Sequence, residues 1–212
     1  MSEQKRGVSR RRFLKRVGVS VVGTAAAVPG SLLEQACKDE GSAAPEPAPA
    51  APSVGADSVF IPLNINGKVH TVAVEPRTTL ADAMRYGLGM TGTKVVCDRG
   101  SCGACTVIAD GKTMYSCMML AMDARGKKIR TVESLASDGR LSPIQAAFVK
   151  HDGMMCGYCT PGFIMSCTAL LEQNPHPTEE QVRQGVRGNI CRCGTYPRIF
   201  EACLEAAGAR KV

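Results

Sequence analysis

The chain is poor in the residues that usually build large cores and large binding faces. Its 212 residues contain no Trp, and aromatic side chains make up only 4% of them. A core of this composition has to rest on aliphatic side chains and Met, and bound metal could supply folding free energy that a small core lacks. The three histidines, His70, His151 and His176, stand alone in the sequence. We therefore interpret them as surface or structural residues rather than metal ligands.

The chain also lacks a basic face spread along its length, although its formal net charge is +7. Seven of the 26 Lys and Arg residues, but only one of the 19 Asp and Glu residues, fall within residues 1–16. The rest of the chain is close to neutral, which argues against a nucleic-acid-binding surface.

A long hydrophobic run is missing as well. Residues 9–15 read S-R-R-R-F-L-K, and the apolar stretch over residues 17–28 is interrupted by Gly, Ser and Thr before Pro29. This stretch is too short and too polar for a stable transmembrane helix, whereas a basic segment before a mildly apolar one is typical of an export signal. The paired arginines resemble a twin-arginine signal, which predicts export of the folded protein to the periplasm. A basic amphipathic anchor or a disordered tail is the alternative.

The export signal is predicted to occupy residues 1–37, and the sequence leaves open both its cleavage site and lipidation of Cys37. Residues 38–57 are rich in Pro and Ala. Such a segment cannot bury a core, so it should form an extended, semi-rigid linker.

Two further regions differ in their predicted secondary structure. Residues 58–135 read as strands, with hairpin turns at Asn66-Gly67 and Asp110-Gly111 and one helix that begins near Thr79 and ends at Gly87. Residues 136–212 read as four helices. Two of these open with capping boxes at Ser142 and Thr178, and two open with a cap before an early proline at Thr160 and Thr195. The pattern predicts an α+β sheet domain followed by a small helical bundle.

Cysteine is the abundant exception, and eight of the eleven cysteines form two sets with different spacings. The first set has the spacing C-x4-C-x2-C-x11-C, and the second has C-x2-C-x31-C-x-C. Four thiolates are the ligand count of one [2Fe–2S] cluster, so the chain is predicted to hold two. The candidate metal ligands are Cys97, Cys102, Cys105 and Cys117, and then Cys156, Cys159, Cys191 and Cys193.

The first set is the more specific of the two, because C-x4-C-x2-C is the plant-type ferredoxin run. Gly100 and Gly103 would let the backbone wrap closely and direct N–H groups at an anionic cluster. Cys117 is expected to come from the returning strand of the second hairpin. A zinc site, which favours paired C-x2-C ligands, or disulfides are the alternatives.

The second set could by itself also be a four-cysteine zinc site. Its cysteines precede two predicted helix starts, so two helix N-termini could converge on one anionic cluster. We expect Gly157, which lies inside the C-x2-C pair, to contact the cofactor together with Cys193.

Three runs carry a resemblance to a known family: D-R-G-S-C-G-A-C-T-V at residues 98–107, C-G-Y-C-T-P-G at 156–162 and G-N-I-C-R-C-G-T-Y-P-R at 188–198. In this order they resemble the small iron–sulfur subunit of the xanthine oxidase family of molybdenum hydroxylases. With the export signal, the chain looks most like such a subunit of a periplasmic aldehyde oxidoreductase. The resemblance implies a β-grasp plant-type ferredoxin domain followed by an all-α four-helix [2Fe–2S] domain.

The resemblance also implies partners and an order of electron transfer. A large subunit would bind molybdenum–pterin and hydroxylate an aldehyde or N-heterocycle, and Cys193 would lie nearest the pterin. The first set would pass electrons outward to an FAD-binding medium subunit or another acceptor. This chain would carry no catalytic residue or substrate site; the alternative is a stand-alone periplasmic two-cluster electron carrier.

Two positions depart from the family pattern. Val96 stands where Gly often precedes the first ligand, and Met155 stands where Gln often precedes C-G-x-C. Met155 puts one hydrogen bond on the pterin side in doubt. The remaining cysteines of the helical region, Cys167 and Cys203, are expected to be small core residues.

Overall fold

The computed structural model describes residues 57–209, so the predicted export signal, Cys37 and the linker up to residue 56 lie outside the described residues. Strand β1 (Val59–Ile65) and strand β2 (Lys68–Val74) form an antiparallel hairpin in which Ile65 pairs with Lys68. Asn66 and Gly67 turn the hairpin with φ values of 54° and 76°, the left-handed conformation that a two-residue turn requires.

A second hairpin and one short strand complete the sheet. Strands β3 (Thr106–Ala109) and β4 (Lys112–Tyr115) are antiparallel, and Asp110-Gly111 forms the predicted turn between them. Strand β5 (Lys128–Arg130) pairs in parallel with β1 and antiparallel with β3, which gives the order β2-β1-β5-β3-β4. A mixed sheet with this order around one helix is the β-grasp arrangement that the family resemblance implied.

One helical segment covers the inner face of this sheet. Helix α1 (Leu80–Asp82) continues as a π-helical turn over Ala83–Gly87. Thr79 caps its start, because its hydroxyl oxygen accepts from the backbone N–H of Asp82 at 3.1 Å. Leu80 and Met84 are fully buried in a core with the sheet residues Ile61, Leu63, Ile65, Val72, Val74, Val107 and Ile129.

The region after residue 140 is helical, as expected. It contains α2 (Pro143–Lys150), α3 (Thr160–Gln173), α4 (Glu179–Gly185) and α5 (Tyr196–Ala209). The capping boxes predicted at Ser142 and Thr178 are both present. Phe148, Phe163 and Ile199 are fully buried in the core of this bundle, where Cys167 and Cys203 also lie.

The helical region packs directly on the sheet. Ile108 of β3 is buried against Met165 and Ala169 of α3, and Arg130 of β5 forms an ion pair of 2.8 Å with Glu172 of α3. Residues 57–209 all belong to one compact unit. The predicted boundary near residue 135 stays a prediction. Among residues 57–209, no helix has the length and apolar character needed to cross a membrane.

Candidate iron–sulfur sites

The first three cysteines of the first set lie in an irregular loop that leads into β3. Asp98, Gly100 and Gly103 adopt positive φ values of 51°, 70° and 69°, so the backbone turns sharply between Cys97 and Cys105. Cys117 lies two residues beyond the end of β4 rather than on that strand, which corrects the prediction. The chain leaves the ladder at Ser116, whose N–H and hydroxyl both bind the carbonyl oxygen of Cys105, at 3.2 and 2.8 Å.

All four thiols of the first set come together. Cys97 interacts with Cys102, and Cys105 interacts with Cys117. The pKa of Tyr115 is raised, first by its burial and then by the nearby charges of all four cysteines. The four thiols therefore lie near one another and interact as two pairs.

The two pairs differ in how readily a thiol ionises. Burial alone would raise the pKa of Cys97, but hydrogen bonds outweigh it and lower this pKa to about 7. One of these bonds is the Ser101 backbone N–H, which donates to the Cys97 sulfur at 3.3 Å. Burial, followed by the interaction with Cys105, raises the pKa of Cys117 to about 11.

The second set lies at the N-terminal ends of two helices. Cys156 and Cys159 directly precede α3, and Cys191 and Cys193 directly precede α5, as predicted. The N-cap of α3 is Cys159 and makes no side-chain cap bond; the prediction that Thr160 caps this helix is wrong. The chain enters the helix one residue earlier than a Thr-Pro start implies, which places a thiol at the cap.

The second set is also arranged as two pairs. Cys159 interacts with Cys191, and Cys156 interacts with Cys193. Burial, then the Cys191 side chain, raises the pKa of Cys159 to about 12. Cys191 has a pKa lowered to about 7: burial opposes this, but hydrogen bonds outweigh it, first among them that of the Thr195 hydroxyl, at 3.1 Å from the sulfur.

The thiols and their surroundings fit the predicted clusters. Within residues 57–209, no three His, Cys, Asp or Glu side chains form a group suited to a single metal ion. In each set, four thiols that interact as two pairs match the ligand count of a two-iron cluster, in which each iron takes two protein ligands. Beside the second set, the hydroxyl of Thr160 is the one buried side-chain N or O atom of the described region without a hydrogen-bond partner. It follows Cys159 directly, so a group that accepts a hydrogen bond there would satisfy it.

The predicted glycines lie where expected in the two loops. Gly157 has a φ of 82° and open space around it, so its conformation, rather than crowding, explains the absence of a side chain. Gly103 is crowded in addition, because a Cβ built there would lie 2.7 Å from the amide nitrogen of Asn189. That these glycines direct N–H groups at the clusters stays a prediction.

Sequence reasoning missed the polar residues that support the ligands. The Tyr115 hydroxyl donates to the Gly188 carbonyl at 3.0 Å, and the Tyr196 hydroxyl oxygen accepts from the Cys191 N–H at 2.9 Å. Asn189 is buried between the two loops. The run G-N-I-C-R-C-G-T-Y contains two of these residues, Asn189 and Tyr196, but its spacing alone gives no role to either of them.

Apolar side chains surround the second set at the surface. Cys156 and Cys193 are exposed, and Met155 is 75% exposed beside them. A cavity of about 320 Å³ opens here between Met155, Cys193 and Arg198. Three further exposed apolar side chains, named the rim below, lie within two residues of a cysteine of this set in the sequence: Met154, Tyr158 and Ile190.

The comparisons with known proteins agree with this geometry. Residues 63–136 match the family described as "2Fe-2S iron-sulfur cluster binding domain", and residues 131–204 match the "[2Fe-2S] binding domain" family. The small subunit of nicotine 6-hydroxylase from Paenarthrobacter nicotinovorans is 51% identical over 72% of this chain and 92% of its own length. The chain belongs to the small iron–sulfur subunits of the xanthine oxidase family of molybdenum hydroxylases.

Other members of the family extend the likeness. The iron–sulfur-binding subunit PaoA of Escherichia coli aldehyde oxidoreductase is 39% identical over 95% of this chain and 89% of its own length. A chain of the crystal structure of quinoline 2-oxidoreductase from Pseudomonas putida 86 is 41% identical, with a TM-score of 0.69, over 74% of this chain and 99% of that chain. This chain is therefore an electron-transfer subunit of an oxidoreductase, with two [2Fe–2S] domains and no substrate site of its own.

Proposed function

We propose that the first set of cysteines, Cys97, Cys102, Cys105 and Cys117, holds the outer [2Fe–2S] cluster and that the second set holds the inner one. Electrons from a molybdenum–pterin large subunit enter at the inner set and leave from the outer set. The observation that supports this proposal most strongly is that the four thiols of each set interact as two pairs. The two sets lie in separate, adjoining domains. The clusters supply one-electron redox chemistry; the chain supplies ligation, spacing and hydrogen bonds.

The surface of the inner set supports the direction of transfer. Cys193 is exposed at the edge of the cavity, and the rim of apolar side chains around it resembles a surface that another subunit covers. Met155 offers this partner an apolar contact instead of the hydrogen bond of a Gln. We place the large subunit on this surface and an FAD-binding subunit or another acceptor near the outer set.

The relatives suggest the class of substrate. Their names specify nicotine hydroxylation and aldehyde oxidation, and the solved relative is a quinoline oxidoreductase. We therefore propose that the complex oxidises an aldehyde or an N-heterocycle on its large subunit.

We further propose that the folded, cluster-loaded chain is exported to the periplasm by the twin-arginine pathway. The PaoA alignment spans 95% of the chain, whereas the nicotine 6-hydroxylase alignment spans 72%. The first alignment therefore extends into the N-terminal region that carries the S-R-R-R-F-L-K segment. Replacing Arg10, Arg11 and Arg12 with Lys should retain the protein in the cytoplasm with its iron bound; unchanged delivery to the periplasm would contradict this part of the proposal.

Co-purification tests the assembly. A tagged chain purified from its native host should carry four iron atoms and bring a molybdenum-containing subunit with it. Cys193→Ser should change one of the two reduced electron paramagnetic resonance signals and spare the other, whereas the core variant Cys203→Ser should leave both unchanged. A molybdenum-free monomer would support the stand-alone carrier, and zinc without either signal would overturn the cluster assignment.

A further inference from the structure

Asn189 lies where the two cluster loops meet, two residues before Cys191, and it is only 5% exposed. Its amide nitrogen donates to the carbonyl oxygen of Gly103 at 2.8 Å and to the hydroxyl oxygen of Thr106 at 3.3 Å. Its amide oxygen accepts from the hydroxyl of Ser166 at 2.7 Å. A single buried side chain thus connects the outer-set loop, the start of β3, helix α3 and the inner-set loop.

The backbones around Asn189 are in close contact and leave no room for side chains. A Cβ built at Gly103 would overlap the carbonyl oxygen of Gly188. A Cβ built at Gly162 would overlap the carbonyl oxygen of Gly103 and lie 3.1 Å from the Cα of Ala104. The glycines let the loops approach, and the Asn189 side chain joins them in that position.

The same contact brings ligand residues of both sets together. The backbone N–H of Ile190, the residue before Cys191, donates to the carbonyl oxygen of Cys102 at 2.9 Å. Any shift of the loops that Asn189 joins would therefore also move Cys102 relative to Cys191.

The chemistry of the position requires an amide. Two acceptors, the Gly103 carbonyl and the Thr106 hydroxyl, face its nitrogen, and a donor, the Ser166 hydroxyl, faces its oxygen. An ionised Asp has the same shape but no hydrogen to donate, and an apolar side chain satisfies neither side. A fully satisfied buried network of this kind rigidifies the groups that it joins.

We propose that Asn189 is a positioning residue that fixes the separation and relative orientation of the two clusters. The inference rests on the cysteine ligands proposed above. Electron tunnelling and the magnetic interaction between two reduced clusters both weaken steeply with distance. A residue that sets this distance therefore sets the rate of transfer from the inner to the outer cluster without touching either iron.

The test compares Asn189→Asp and Ser166→Ala with Thr168→Val in the purified complex. Thr168 is the matched control, because its buried hydroxyl on the same helix donates to the Ile164 carbonyl within that helix at 2.7 Å. Iron content and the melting temperature are measured first. The magnetic interaction of the fully reduced clusters and the rate of electron transfer between them are then measured by freeze-quench electron paramagnetic resonance.

N189D should keep four irons and both cluster signals but lose the magnetic interaction and transfer electrons between the clusters more slowly. S166A should weaken both properties less than N189D does. T168V should retain both properties even if its melting temperature falls as far as that of N189D. An unchanged interaction and rate in iron-replete N189D would overturn the inference. If N189D fails to assemble, S166A decides: a wild-type magnetic interaction and a wild-type transfer rate in S166A would overturn the inference. Failure of the ligand assignment is distinguishable, because C193S would then leave both signals intact.

Discussion

The two sets of cysteines reach similar thiol chemistry through different local structures. Each set contains one thiol with a pKa lowered to about 7, Cys97 and Cys191, and one with a pKa raised to about 11 or 12, Cys117 and Cys159. In the outer set the lowering includes backbone N–H groups of a tightly turned loop. In the inner set the largest lowering contribution is the side-chain hydroxyl of Thr195 at a helix start. Each site thus contains one thiol that ionises readily, whereas the groups that lower its pKa differ between the two sites.

Exposure separates the two sets further. In the outer set Cys105 and Cys117 are buried by the chain itself, whereas in the inner set Cys156 and Cys193 are exposed within an apolar rim. This difference is the one that the proposed arrangement requires, in which the chain itself encloses much of the outer site and the large subunit covers the inner one.

The largest expected effect comes from separating the two regions where they touch. Gly162→Ala adds a Cβ that would overlap the Gly103 carbonyl oxygen, a backbone atom that cannot rotate away. Such overpacking costs about 1–3 kcal/mol of unfolding free energy. We expect thermal or chemical denaturation to show a loss of this size, together with disturbed signals from both clusters.

Gly208→Ala is the matched control. Gly208 also lies in a helix, but a Cβ built there meets nothing within 4 Å. Because Ala is the better helix former, by about 1 kcal/mol in a helix interior and less near an end, this variant should be neutral or slightly more stable. Equal destabilisation by both substitutions would mean that the close contact at Gly162 is unimportant.

A smaller effect should distinguish the tuning of the two clusters. Thr195→Val removes the hydroxyl that contacts the Cys191 sulfur, and a hydrogen bond to a thiolate ligand stabilises the reduced, more negative cluster. We expect a redox titration to show the inner-cluster potential lowered by roughly 50 mV, since 59 mV corresponds to a tenfold change in a one-electron equilibrium.

Two companion variants sharpen this prediction. Thr195→Ser keeps the hydroxyl and should keep the potential. Ser101→Ala should leave the outer-cluster potential unchanged, because the backbone N–H of residue 101, rather than its side chain, donates to Cys97. A shift in S101A as large as that in T195V would contradict the difference between the two loops.

The smallest expected effect concerns the acid side of stability in the helical domain. Lys150 and then His151 hydrogen-bond to Glu205 and hold the pKa of its carboxyl below its ordinary value of 4.5. A lowered folded-state pKa means that the stabilisation is complete above the unfolded value and is lost as pH falls through the folded value. Glu205→Gln should therefore be slightly less stable than wild type at neutral pH, and the difference should disappear in acid. If the difference in melting temperature between the variant and wild type stayed the same from neutral to acid pH, this role of Glu205 would be contradicted.

Much of the fold could be predicted because local signals and tertiary structure agree. Asn66-Gly67 turns a hairpin through its backbone conformation alone, and Ser142 and Thr178 cap helices through bonds to residues three positions away. Thiol count and spacing predicted the two ligand sets, the secondary-structure pattern predicted the order of the domains, and the family resemblance implied the order of the clusters.

The sequence could not reveal what depends on distant residues. Asn189 meets Gly103 across 86 positions of the chain, and no local pattern marks that contact. A hairpin pattern favours a position on β4 for Cys117, and a Thr-Pro pair favours a helix cap for Thr160. In the structure β4 ends at Tyr115, and Cys159 caps the helix. Spacing predicts candidate ligands, but it does not predict the residues that support them.

Iron content and electron paramagnetic resonance of Cys105→Ser and Cys191→Ser, with Cys167→Ser as the core control, test the central claim most directly. C105S should lose only the outer-cluster signal and C191S only the inner one, each retaining about two of the four irons of two clusters. C167S should retain all four irons and both signals. The assignment of one cluster to each set would be contradicted if either ligand variant lost both signals. It would also be contradicted if neither ligand variant lost a signal.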